Sequence, residues 1–123
     1  MSAHDLLSFG HPVDGVPDIS HPHPDRRIAG NPLRETWNLV DAPLGRAETF
    51  STGIWRCEPG HWAIAFGPTE REVFTVLEGR CRVRRFDGSH EEAGPGQSIH
   101  IPPGFTGSFE VLETVVKVYV IVE

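Results

Sequence analysis

Three side chains in this sequence have the types and spacing for proton transfer. Glu72 opens an apolar β-type run, residues 72–78, and shares strand parity with Phe74 and Val76. If that run lines a barrel, the carboxylate faces an apolar wall, where it either keeps its proton or takes a cationic partner. Either state suits a general acid or base. The plainer alternative is a glutamate that reaches solvent or pairs with Arg71 or Arg56. Lys117 and Tyr119 are the chain's only lysine and only tyrosine, and they share one face of the run 114–122. Facing inward, an ammonium and a phenol can anchor an anionic substrate or shuttle a proton. The alternative is a snorkelling lysine beside a core tyrosine whose hydroxyl reaches the rim.

Aromatic residues and histidines add a second set of candidates. Trp55, Trp62, Phe66, Phe74, Phe105 and Phe109 supply an aromatic interior, most of it for ordinary packing. Trp62, Phe74 and Phe109, together with His100, are the candidate ligand-contacting residues of a narrow apolar pocket. His100 and Ser98 alternate with Ile99 and Ile101, so one of these faces is core and the other is pocket or surface. A lone strand histidine is more often a packing residue than a ligand. His61 follows the Pro59-Gly60 turn and is expected at the surface. His21 and His23 are two residues apart, but their proline-rich surroundings do not build a rigid metal shell.

The elements that must hold these groups are short and β-type. Runs at 36–40, 50–57, 62–66, 72–78, 80–86, 97–101, 105–111 and 114–122 predict strands. Between them lie Pro59-Gly60, Gly67-Pro68, Asp87-Gly88, Gly94-Pro95-Gly96 and Pro102-Pro103-Gly104, all turn chemistry. Regular strands of this kind predict a sandwich or barrel. Asp87-Gly88 is expected to close a hairpin with residues suited to positive φ. Arg80, Arg82 and Arg84 fall on one face, expected to be solvated, with Cys81 and Val83 facing in. Prolines after His11, His21, His23 and Asn31 predict an extended arm over residues 1–32, docked on the domain or on a partner, ahead of a barrel domain at 33–123.

Composition narrows the function classes. A chain of 123 residues fits one domain with a single core. A net charge of −6 argues against a nucleic-acid phosphate binder and against an anionic membrane surface. Cys57 and Cys81 are too few and too far apart for a disulfide framework or a paired-cysteine metal site. The start lacks the basic and apolar regions of a signal peptide, and the longest apolar run, 118–122, is too short to span a bilayer. A soluble, cytoplasmic chain is expected.

The segments 72–79 and 94–107 resemble the two signature motifs of the cupin superfamily. Glu72 with Gly79 seven positions on matches the end of the first, and Gly96, Pro102 and Gly104 match the second. The two histidines that should precede Glu72 are missing from 66–71, and the histidine of the second motif falls on Gly107. Segments 24–32, 36–38, 53–62, 103–111 and 117–121 are similar to the DUF861 or Cupin_3 family, named alongside ureidoglycine aminohydrolase and the cupin of ethanolamine utilisation. Phe109 stands where that family usually has tryptophan.

The resemblance implies an all-β fold, a single antiparallel RmlC-like jelly-roll barrel, paired into a homodimer. It also favours Lys117 and Tyr119 in the lumen, and with only Glu72 left of four ligands no metal cofactor is expected. Three functions follow as expectations. One is a small polar metabolite bound in the lumen, with acid–base chemistry by Glu72, Tyr119 and Lys117. Another is a non-catalytic binding or structural module. The third is a metal-dependent aminohydrolase, which needs more ligands than the sequence supplies. Whether the chain is an enzyme stays open at this level.

Overall fold

The computed structural model describes residues 5–123. It is all-β: nine strands form one antiparallel sheet that curls strongly into a half-barrel, as the cupin resemblance implies. The strands are β1 (Asp18–Ser20), β2 (Arg27–Ala29), β3 (Arg34–Leu44), β4 (Glu48–Cys57), β5 (Gly60–Ala65), β6 (Arg71–Arg84), β7 (His90–Ala93), β8 (Ser98–Ile101) and β9 (Thr106–Val122). The described residues hold one helical element, a single 3₁₀ turn at Pro24–Arg26.

Strand β9 is the spine. Along one edge its first half pairs with β5 and its second half with β4, while β6 runs along the other edge. Two pairs of predicted runs are therefore each one strand: 72–78 with 80–86 in β6, and 105–111 with 114–122 in β9. The reason is Gly79. Its φ of +79° places it in the left-handed region, and a Cβ there would strike the Thr114 carbonyl, so only glycine lets the two strands bend together. The register shifts around this point, and the extra residue flips the parity of β6. Glu72, Phe74 and Val76 face in before the kink, and Cys81 and Val83 face in after it. Without the bulge, the Arg80, Arg82 and Arg84 row would be buried.

That arginine row is outside, as expected, but it is more than a solvated face. Arg80 and Arg82 both bind Glu92, and Arg84 binds Glu110 at 2.6 Å. Bonds from Arg82 and then Arg80 pull the Glu92 carboxyl down to about 2. The hairpin from β6 to β7 turns at Asp87-Gly88, but only Gly88 takes a positive φ, +89°. Asp87 instead accepts bonds from the Ser89 amide and hydroxyl. Strand β7 was not among the predicted runs, because its sequence, His-Glu-Glu-Ala, has no alternation of apolar residues.

The proline-rich segment contributes structure of its own. β1 pairs with β3 and β2 with β5, and Pro22 is fully buried. Trp37 donates its indole N–H to the Gly15 carbonyl, and His11 lies 3.9 Å from Glu78. The arm thus reaches the convex side of the sheet, where Ile54 and Val116 are buried apart from the main core. That main core fills the concave side, built on Trp62, Phe74, Val76, Cys81, Phe109 and Val115. At about 25 cal/mol per Å² of apolar surface, burial of such aromatic and branched side chains is the largest favourable term in the fold.

Candidate functional site

The concave face carries a cavity of about 340 Å³ that opens to solvent. That is near the lower end of the roughly 300–1,000 Å³ usual for ligand pockets. Strand parity decides what reaches it. β3 presents Arg34, Thr36 and Asn38; β4 presents Ser51 and Trp55; β9 presents Phe109, Lys117, Tyr119 and Ile121. Trp62 and Ile64 of β5, Phe66, Ile101 of β8 and Glu123 complete the walls around Glu72 of β6.

Glu72, Lys117 and Tyr119 therefore share one cavity, on neighbouring strands. The Lys117 ammonium donates to Glu72 Oε2 at 2.7 Å, with both side chains under a tenth exposed. The alternatives in which Glu72 pairs with Arg71 or Arg56 do not occur. Three rings enclose the ammonium: its Nζ lies 4.2 Å from the Phe74 centroid, 4.5 Å from Trp55 and 4.9 Å from Phe109. Cation–π attraction of this kind is worth ~2 kcal/mol or more where water is excluded. Glu72 Oε2 is thus committed to the lysine. Oε1 takes no hydrogen bond among those of the described residues, and it is not one of their sealed, unpartnered polar atoms. It is a spare acceptor on a side chain that lines the cavity.

Tyr119 is held differently. Its hydroxyl donates to Asn38 Oδ1 at 2.7 Å. Burial, and then the negative charge of Glu72, push its phenol up to about 12. Two local features make room for this contact. Gly53, opposite Tyr119 on β4, leaves space where a Cβ would lie 2.8 Å from the hydroxyl and collide with the Trp37 carbonyl. A bulge at Leu39 shifts the register of β3 against β4 immediately after Asn38.

The remaining candidates divide. Trp62 and Phe109 stack with centroids 5.3 Å apart and line the cavity. Phe74 is buried behind Lys117 and lines no part of the cavity. His100 faces the other way: it is exposed on the outer side of β8, opposite Val73, while Ile99 and Ile101 point in. His61 is half-buried rather than at the surface. Its Nε2 lies 2.7 Å from Ser108 Oγ, and burial lowers its pKa against an opposing pull from Glu110.

Arg34 and Asn38 were missed in the sequence. Their signal was the shared parity of residues 34, 36 and 38; a strand predicted to start at Thr36 left Arg34 out and held Asn38 without assigning it a face. Arg34 also borders a second cleft, about 280 Å³, beneath the arm beside Pro22 and Arg26. Burial lowers its pKa, with the Cys57 thiol opposing.

A cupin metal does not fit these residues. Glu72 is already bonded to an ammonium, and a Cβ at Gly107 would strike the Arg84 carbonyl, so no histidine can stand there without moving backbone. Among the described residues, no three His, Cys, Asp or Glu side chains gather as a ligand set.

Fold and cavity together define a cupin, a curled antiparallel β-sheet with a small site on its concave face. The chain belongs to the EutQ-like cupin domain family, Cupin_3, whose model matches residues 44–119. Solved structures with the same fold include the EutQ protein of Clostridium difficile (21% identity, 73% of this chain and 68% of that one, TM-score 0.60). A putative ethanolamine utilization protein Q of Salmonella typhimurium also matches (19%, 87% and 97%, TM-score 0.61). So does a DUF861-family protein of unknown function from Pseudomonas syringae (21%, 87% and 44%, TM-score 0.73). The chain thus spans less than half of the Pseudomonas protein. No curated protein matches the sequence.

Proposed function

We propose that this cupin domain is a small-molecule-binding module, and that its ligand lies against Trp55 and Trp62 and hydrogen-bonds to Glu72 Oε1. The observation that supports it is the Lys117–Glu72 pair at the wall of an open, aromatic-lined cavity. Burying two charges costs several kcal/mol per ion before their attraction repays it. The arrangement leaves one carboxylate oxygen available where a ligand can reach it. Binding takes precedence over acid–base chemistry in this reading. Glu72 is tied to a cation, and a phenol pushed up to about 12 and bonded to Asn38 is a positioned donor rather than a proton shuttle near neutral pH.

A thermal-shift screen against small polar metabolites tests this. Compounds that raise the melting temperature of the wild type, and lose that effect in Trp62→Ala, support the module. A screen in which no compound stabilises the wild type, or in which every hit survives Trp62→Ala, refutes it.

A further inference from the structure

One cation at the cavity has no counter-ion. Arg34 takes part in none of the ion pairs of the described residues. The other partly buried arginines all have one: Arg56 meets Glu35 at 2.9 Å, Arg80 and Arg82 meet Glu92, and Arg84 meets Glu110. The bonds that Arg34 does make go to neutral groups of the arm, from Nε to Ser20 Oγ (3.1 Å) and from Nη2 to the His21 carbonyl (3.0 Å). Those bonds occupy one edge of the guanidinium, and Nη1 has no partner among the described residues. The group also lies over Trp62, 5.5 Å from the ring centroid. A guanidinium so fixed, with its terminal N–H groups open, has the geometry for two parallel bonds to an oxyanion.

The other charges around the cavity do not fill that place. Lys117 is bonded to Glu72 and enclosed by rings. Glu123 sits at the opposite end of the lumen. It follows Val122, which pairs with Phe50 at the start of β4, whereas Arg34 pairs with Cys57 at the end of that strand. A single uncompensated positive charge matches a singly charged group better than a phosphate dianion.

We infer that Arg34 anchors the carboxylate of the cavity's ligand, whose remaining part lies along Trp62 and Trp55 towards Glu72. This rests on the reading of the cavity as a small-molecule site, and it makes the Ser20–His21 stretch of the arm part of that site.

Protein NMR titrations that follow the indole N–H signals of Trp55 and Trp62 test it, with benzoate, benzamide, benzylamine and inorganic phosphate as probes. Benzoate is expected to bind about tenfold or more tightly than benzamide, the scale of a charged hydrogen bond. Arg34→Gln should erase that difference while leaving benzamide within about twofold, and Arg34→Lys should restore part of it. The wild-type comparison needs no variant, so it stands even if Arg34→Gln loosens the arm. Benzamide or benzylamine binding as well as benzoate, phosphate binding in its place, or a benzoate preference that survives Arg34→Gln overturns the anchor and leaves the cavity reading intact. If none of the four probes moves either indole, the cavity reading fails and the anchor with it.

Discussion

Lys117 reaches across the concave face to Glu72, 2.7 Å from Nζ to Oε2, although neither residue is the other's partner in the sheet: Lys117 pairs with Val76 and Glu72 with Ile121. The lysine side chain therefore runs diagonally over the sheet, beneath Trp55, Phe74 and Phe109, to place its charge on the carboxylate. In a metal-binding cupin the first-motif glutamate faces a cation from solution. Here the chain supplies the cation itself.

Removing either member of the pair should be costly. Glu72→Gln and Lys117→Met each leave one buried charge without its partner, a loss of about 3–5 kcal/mol by urea unfolding. The double variant Glu72→Leu/Lys117→Met should lose less than either single one, because it buries no charge. Single variants within ~1 kcal/mol of wild type would mean that the pair is solvated in solution.

Tyr119 is the only tyrosine in the chain, so phenolate absorbance reads it without ambiguity. Its pKa rises from an ordinary 10.0 to about 12, with burial as the main cause. The folded state holds the proton more tightly than the unfolded one. The stability contributed by Tyr119 is therefore complete below about pH 10 and lost as pH rises towards 12. Tyr119→Phe should remove that part of the alkaline slope, while the buried thiols contribute the rest. Titration of the native phenol at 10 or below would place its hydroxyl in water.

Much of this architecture was legible in the sequence, because turn residues and strand parity are local signals. Alternation groups Glu72 with Phe74 and Val76, Lys117 with Tyr119, and the three arginines with one another. The cupin resemblance is what favours the lumen for Lys117 and Tyr119, and the opposite parities on either side of Gly79 need the bulge there. What was not legible depends on long-range pairing. Nothing local says that Gly79 bends a continuous strand instead of ending it, because its reason is the Thr114 carbonyl on another strand. His100 could not be assigned to a face without knowing that β8 pairs with β6 through Ile99 and Phe74. Arg34 escaped notice because a proline-rich segment hid the start of β3 and the bonds that the arm makes to it.

Gly79→Ala tests the shared bend of β6 and β9. The substitution adds a Cβ at φ +79° and drives it into backbone, which cannot step aside as a side chain could. A loss of about 1–3 kcal/mol is expected, against the few tenths of a surface change. Gly88→Ala, in an open hairpin turn with nothing near its Cβ, should cost less than Gly79→Ala. The reverse order would contradict the bend.

Cys57 and Cys81 should be poor nucleophiles in the native state. Burial raises their thiols to about 12 and about 11. At pH 8, alkylation by iodoacetamide should be far slower than for a denatured sample. Native labelling at the denatured rate would show that the concave core opens readily.

On the proposed function, the concave cavity is a binding site whose polar anchor is a glutamate held by lysine rather than by metal. A high-resolution crystal structure of protein purified without chelator tests it most directly. Lys117 Nζ on Glu72, with density for a small organic molecule between Trp55, Trp62 and Glu72 Oε1, is the expected result. A metal ion coordinated by Glu72, with Lys117 turned away, would contradict it.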